Sequence, residues 1–225
     1  MTKQINVLIV EDEPLIASSL EAALKQISET NGLIDFKIKS TNNCDSANEA
    51  IKRAIRKNPF DLVLLDIGIP SSKDKQLLSG EDIGEELRKT FPEIKIIVFT
   101  SYTTNYRLNN ILKSLNPEGF LLKSDVDFTK LIDAINAVIY DGPFYSKAIL
   151  QLMRRHISND FVLDQLDRQL IYQISRGAQI KDIAEVIPLS KSAIEYRKRN
   201  IKQLFDVEHG NDRDLLIKAE EHGYI

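Results

Sequence analysis

The segment DLVLLDIGIP, Asp61 to Pro70, decides the fold. Val63, Leu64 and Leu65 form an apolar run that reads as a fully buried strand, and the run stops at Asp66. Gly68 and Pro70 then forbid a regular continuation. A strand-end Asp ordinarily serves as a cap or turn residue, but no helical pattern starts directly after Pro70. What Asp66 does depends on what the rest of the chain places beside it.

The same texture repeats on both sides of this segment. INVLIV (5–10) precedes PLIASSLEAALKQI, whose apolar residues recur at three- and four-residue spacing. LIDFKIKS (33–40) precedes SANEAIKRAIRK, and DLVLLD precedes GEDIGEELRKTF. IKIIVFT (94–100) precedes NYRLNNILKSL, and GFLLK (119–123) precedes FTKLIDAINAVIY. Five strand–helix units predict an α/β fold, a doubly wound five-stranded parallel sheet of the flavodoxin-like type with helices on both faces. Asp141-Gly142-Pro143 breaks the alternation, and a short helical stretch, SKAILQLMRRH (146–156), leads to a polar patch at Ser158-Asn159-Asp160. From Leu163 onward only helical periodicity appears, with Asp164 and Ser190 placed as N-caps and Gly177 just past a helix end. The expected division is an α/β domain at 1–140, a linker with a short helix at 141–159, and a small all-α domain at 160–225.

Composition narrows the classes. The 225 residues are 43% hydrophobic and 28% charged, which suits a packed soluble protein. No apolar run approaches the roughly 20 residues a membrane span needs, so no membrane role is expected. The acidic turn after the first strand does not read as a signal peptide. A single cysteine, Cys44, leaves no internal disulfide and fits a reducing cytoplasm. From Lys147 onward Lys/Arg number 13 against 12 Asp/Glu, while the residues before it hold 17 against 21. All three histidines (156, 209, 222) lie in the last third. They cannot supply a hydrolase base beside Asp66, and Gly-rich phosphate loops, HExxH and Cys/His clusters are missing.

The carboxyl ends of parallel strands line one crevice, where ligands bind. The first strand ends in Glu11-Asp12-Glu13, the third in Asp66, the fourth in Thr100-Ser101 and the fifth in Lys123. Taken singly, each has a plain structural reading, such as an acidic helix start or a surface lysine. Four strands ending in complementary groups argue for a site. Converging carboxylates suit Mg²⁺, which takes one or two carboxylates, several waters and a phosphoryl oxygen. Lys123 would offset phosphoryl charge, Thr100 would donate a hydrogen bond to it, and Asp66 would be the phosphoryl acceptor.

The chain resembles the bacterial two-component response regulators over essentially its full length. The resemblance implies a phosphoacceptor receiver in the first domain. Glu11 and Asp12 match the family's acidic pair, Asp66 its phosphoacceptor, Thr100 its hydroxyl position and Lys123 its lysine. Phe120 matches the aromatic that reorients with the Thr100 hydroxyl on activation, and the Gly68 carbonyl matches the backbone metal ligand. The sequence departs from the pattern at Glu11, where Asp is commoner, at Ile69 in place of methionine, and at Ser124 in place of proline. SSKDKQLLS (71–79) is longer than the usual loop and is expected to overhang the site.

The second domain resembles the helix-turn-helix of the LuxR type, so the whole looks like a NarL/FixJ-subfamily regulator. LDQLDRQLIYQISRGAQIKDIAEVIPLSKSAIEYRKRNIKQLF carries the run of helix, Gly177, KDIA, LS and AIEYRKRNIKQL. Five basic residues against Glu195 between Lys191 and Lys202 give a local footprint for double-stranded DNA. Helical spacing groups Lys191, Ser192, Glu195, Tyr196 and Arg199 for base edges. Lys181, Ser190, Lys198 and Lys202 are expected on phosphates. Ile183, Ala184, Ile194, Ile201 and Leu204 are expected in the core. Arg197 replaces the family's usual histidine. The Leu215-Leu216-Ala219 stripe would either pack within the domain or support dimers. The resemblance implies a phosphorylation-regulated transcription regulator, not an enzyme, with a sensor histidine kinase as partner and a homodimer when activated. The alternative is a receiver that acts through protein contacts or is switched without phosphorylation.

Overall fold

The computed structural model describes residues 2–103, 105–140, 142–155 and 163–225. Asp141, His156 and the Ser158-Asn159-Asp160 patch lie outside the described residues. The described residues of 1–103 and 115–156 form one compact unit, and those of 104–114 and 157–225 form a second. Residues 104–114, expected within the first domain, thus group with the second.

In chain order the elements are β1 (Lys3–Val10), α1 (Pro14–Asn31), β2 (Ile34–Thr41), α2 (Cys44–Lys57), β3 (Leu62–Asp66), α3 (Gly80–Thr90), β4 (Lys95–Thr100) and α4 (Asn105–Leu115). There follow β5 (Gly119–Leu122), α5 (Phe128–Ile139), β6 (Phe144–Tyr145) and α6 (Lys147–Arg155). The helical remainder is α7 (Gln165–Ser175), α8 (Ile180–Val186), α9 (Lys191–Leu204) and α10 (Asp212–Glu221).

The sheet is parallel throughout, in the order β2-β1-β3-β4-β5-β6. It has six strands, not the expected five. The sixth lies in the segment read as linker, and its origin is the unpaired outer edge of β5. Phe144 N donates to the Glu118 carbonyl at 3.0 Å and Ser146 N to the Phe120 carbonyl at 3.0 Å. A strand of two residues is too short to show a periodicity in sequence.

Val7, Leu8, Ile9 and Val10 are all fully buried, as strands covered on both faces must be. Val7 and Ile9 join Leu64, Ile97, Phe99 and Leu121 in one cluster with apolar residues of α1 and α5. Leu65 faces the opposite side, where a Cβ added to Gly84 of α3 would approach its side chain to 3.1 Å. The chain leaves β1 toward β2 and returns to place β3 on the other side of β1. That reversal opens the crevice at the carboxyl ends of β1 and β3.

Local chemistry sets the helix starts. Pro14 opens α1, and Gly32 closes it at φ 62°. The Asn43 side chain accepts from Ser46 N at α2, and Asp127 accepts from Lys130 N at α5. Ser79 and Asp82 form a capping box at α3. The preceding segment 71–79 is built rather than loose. Ser72 is buried, its N–H donates to the Leu77 carbonyl at 2.8 Å, and its hydroxyl donates to Asp74 at 2.6 Å. Lys73 N donates to Asp45 at 3.1 Å, and Cys44 N donates to the Pro70 carbonyl at 3.0 Å. The bonds of the segment expected over the acidic crevice therefore run to itself and to the first turns of α2 and α3.

The second unit has its own core of Leu170, Ile171, Ile183, Ile194, Ile201, Phe205, Leu215 and Ala219. Ala184, Leu204 and Leu216 pack against it partly buried. Leu215 and Ala219 are thus internal to the unit. Asp164 and Ser190 cap α7 and α9 as expected, and Gly177 follows α7 at φ 76°.

Gly80 ties the fold to the site. Its N–H donates to the Ile67 carbonyl at 3.1 Å, and an added Cβ would lie 2.9 Å from Ile67 Cα and inside the surface of the Asp66 carbonyl oxygen. Because that obstacle is backbone, Gly80→Ala should destabilise the first unit by about 1–3 kcal/mol. Urea unfolding of the variant beside wild type measures the loss.

Candidate functional site

Three strand ends bring charge together at the reversal point. Lys123, immediately after β5, sends its Nζ to Asp66 Oδ2 at 2.8 Å, Glu11 Oε1 at 3.0 Å and Glu13 Oε1 at 3.0 Å. Asp66 and Glu11 are buried, and the ammonium is the counter-charge that both face. Asp66 Oδ1 accepts from Gly68 N at 2.9 Å, and Glu11 Oε1 accepts from Glu13 N at 3.1 Å. Gly68 thus touches Asp66 through its N–H.

The electrostatics follow from burial. Burial lifts the Glu11 carboxyl above the ordinary range, the Asp66 charge adds to it, and the hydrogen bond from Lys123 opposes both. Burial acts to lower the Lys123 pKa, but its bonds to Asp66, Glu13 and Glu11 outweigh that and raise it. Lys123 stays an ammonium at any working pH.

One ammonium faces several carboxylates. Ligand oxygens of Glu11, Asp12 and Asp66 lie within 4.8 Å of one another. Two carboxylates at that separation repel by on the order of 3 kcal/mol at an effective dielectric of about 20. Glu11 Oε2 is buried and has no hydrogen-bond partner. An unpaired buried oxygen in an all-oxygen acidic cluster fits a hard dication.

Thr100 ends β4 fully buried, and its hydroxyl oxygen accepts from Tyr102 N at 3.1 Å. Phe120 is fully buried in β5, with Val98 of β4 as its register partner. The sequence reading missed Glu13 as a partner of Lys123. The run of three acids was the only signal, and it does not say which acid turns inward.

In the second unit Lys191, Ser192, Glu195, Tyr196 and Arg199 are exposed along α9, and the Arg199 guanidinium lies 5.5 Å from the Tyr196 ring centroid. Lys181 on α8 is exposed, and the Ser190 hydroxyl accepts from Ala193 N at 3.3 Å. Lys198 and Lys202 differ from these. Both are bound to Asp212, at 2.7 and 3.1 Å. Arg197, in place of the family's histidine, reaches Asp164 at 2.8 Å and Asp167 at 2.7 Å, which form the capping box of α7. Neither set of partners was visible in the sequence, because each joins helices that only the packing of the unit brings together.

Residues 7–136 match the response regulator receiver domain, and the chain belongs to that family. It is 26% identical over 228 residues to the response regulator UvrY of Escherichia coli K12, covering 97% of this chain and 95% of that one. It is 22% identical to the transcriptional regulatory protein MctR of Rhizobium johnstonii, covering 99% and 96%. Among solved structures, RcsB from Salmonella enterica serovar Typhimurium bound to promoter rprA with the phosphomimetic BeF3− superposes with a TM-score of 0.66. The two are 20% identical over 97% of this chain and 99% of that chain, a likeness of fold.

A dication held by this site would bind only the folded chain. At about 100 times its Kd it would stabilise by about 2.7 kcal/mol. Thermal unfolding with added MgCl₂ should show a rise in Tm, and Asp12→Asn should remove most of it.

Proposed function

We propose that the protein is a phosphorylation-regulated, DNA-binding transcription regulator of a two-component system. The domains are a receiver at 1–140, a linker with a short helix at 141–159, and a LuxR-type helix-turn-helix domain at 160–225. The observation that carries the reading is Asp66 at the end of β3, held by Lys123 Nζ at 2.8 Å beside Glu11 and Asp12 in a chain of the receiver family.

Asp66 receives the phosphoryl group of a sensor histidine kinase. A P–O bond forms to its carboxylate as the P–N bond of the donor imidazole breaks, and the imidazole leaves with that electron pair. Glu11, Asp12, Asp66 and the Gly68 carbonyl would hold Mg²⁺, which offsets the charge on the phosphoryl oxygens when bound. Lys123, already an ammonium, exchanges its bond to Asp66 for one to a phosphoryl oxygen. Thr100 donates its hydroxyl proton to another, and Phe120 responds with it. A kinase partner of this kind places the protein in the cytoplasm.

On α9, Arg199 forks onto guanine, Glu195 accepts from a cytosine amino group and Tyr196 packs on a thymine methyl, with Lys191 and Ser192 beside them. Lys181 and Ser190 take phosphates, with Lys198 and Lys202 at the rim. Phosphorylation replaces the carboxylate charge of Asp66 with a phosphoryl group carrying about −1.5 to −2 and favours a homodimer, which presents two α9 helices to half-sites about one helical turn apart. RcsB, the structural relative, was solved on promoter DNA and as dimers bound to DNA.

Acetyl phosphate should label the wild-type protein with Mg²⁺ present and fail in excess EDTA or with Asp66→Asn, as read by intact-mass or Phos-tag analysis. Equal labelling in EDTA would remove the metal from the reaction.

Two DNA-binding variants separate the halves of the mechanism. Asp66→Asn should lose the affinity gained for a paired site after phosphodonor treatment. Arg199→Ala should keep phosphorylation and dimerisation but weaken specific binding by roughly 1–3 kcal/mol. Footprinting and sedimentation on both variants check this.

A further inference from the structure

Lys198 and Lys202 stand one turn apart on α9, and a single carboxylate joins them. Asp212 Oδ2 accepts from Lys198 Nζ at 2.7 Å, and its Oδ1 lies 3.1 Å from Lys202 Nζ. Lys202 also donates to the Gly210 carbonyl at 2.9 Å. The two lysine side chains are only 18% and 14% exposed, whereas Asp212 is 47% exposed. Burial works to raise the Asp212 carboxyl, but the bonds from both lysines outweigh it and hold it below the usual range, so it is a carboxylate at neutral pH.

Helical rotation places these lysines on the reading face. At about 100° per residue, Lys202 falls within about 20° of Lys191 around the α9 axis, and Lys198 on the other side of the same line. They extend the line of Lys191 and Glu195 toward the C-terminal end of α9, about 60–100° around the axis from Arg199. The arrangement, one oxygen per lysine, is the one two non-bridging oxygens of a phosphodiester would make.

Asp212 is not needed for the start of α10. Asn211 caps it, and Asp214 completes the capping box. Nor is it needed to hold α10 in place, since Leu215 and Ala219 are already fully buried with Ile201 and Phe205 in the core of the unit. A half-exposed ion pair adds little to such packing. What Asp212 does is occupy two of the five cations of α9 with one carboxylate, neutralising one of their two charges.

We propose that Asp212 is an affinity-limiting residue of the DNA-binding surface: it occupies Lys198 and Lys202 in place of backbone phosphate and so lowers sequence-independent binding to duplex DNA. The inference rests on the reading of α9 as the DNA-recognition helix. With the two lysines withheld, binding depends more on the base-edge residues Glu195, Tyr196 and Arg199, and the ratio of specific to non-specific affinity rises.

The test uses the full chain and a fluorescent duplex of random sequence, titrated at several KCl concentrations. Asp212→Asn should bind about ten-fold more tightly near 0.1 M KCl, and its log K against log salt slope should steepen by up to about 1.8, the value for two added phosphate contacts. Adding Lys198→Gln and Lys202→Gln to Asp212→Asn should abolish the gain. Asp212→Ser, which keeps a hydroxyl acceptor in the first turn, replaces Asp212→Asn should that variant not fold. An unchanged affinity overturns the inference, as does a gain that persists without the lysines. If wild type binds no duplex and Arg199→Ala changes nothing, the DNA reading itself fails, and the inference with it.

Discussion

The crevice depends on one ammonium. Lys123 reaches three carboxylates contributed by two other parts of the sheet, and two of the three are buried. Carboxylates in such surroundings ordinarily protonate or move apart. Lys123 is the counter-charge that holds all three close together. The rest of the first unit serves that geometry. The reversal of chain direction between β1 and β3 sets Glu11 beside Asp66, the pairing of β4 with β5 carries Lys123 to the same end, and Gly80 allows α3 to press on the backbone of Asp66.

The compensation is incomplete by design of the residues. Lys123 satisfies one oxygen of Glu11 and leaves the other buried without a partner. The cluster thus keeps room for further positive charge. Glu11 in place of the commoner Asp has the longer arm, and the structure shows what that arm does: Oε1 turns to Lys123 and the N–H of Glu13 while Oε2 remains open. The second unit uses the opposite economy. Three of its cations, Arg197, Lys198 and Lys202, are held by Asp164, Asp167 and Asp212, while Lys181, Lys191 and Arg199 stay exposed.

Much of the fold was legible because the chain spells it with long, unambiguous runs. The five runs ending in Val10, Thr41, Asp66, Thr100 and Leu122 are strands, and their ends carry the acidic, hydroxyl and lysine groups of the site. The caps at Asp164 and Ser190 were legible because capping is local. What stayed hidden depends on tertiary approach. Glu13 and Asp12 look alike in sequence, yet only Glu13 bonds to Lys123, since the turn into α1 decides which side chain reaches the ammonium. Lys198 and Lys202 look free in sequence, and their tie to Asp212 appears only once the start of α10 comes beside them. β6 escaped for a different reason: it exists to complete a neighbour's hydrogen bonds and has no apolar pattern of its own.

That small strand matters to anyone who would cut the chain. The break at Asp141-Gly142-Pro143 invites truncation there, and a fragment ending at Tyr140 would keep every helix of α1, α2, α3 and α5 and all five long strands. It would also strip Phe144 and Ser146 from the Glu118 and Phe120 carbonyls and leave the outer margin of β5 bare. Bare strand margins recruit strands from other molecules. Self-association seen in such a fragment would then report the cut, not the signalling state of the receiver.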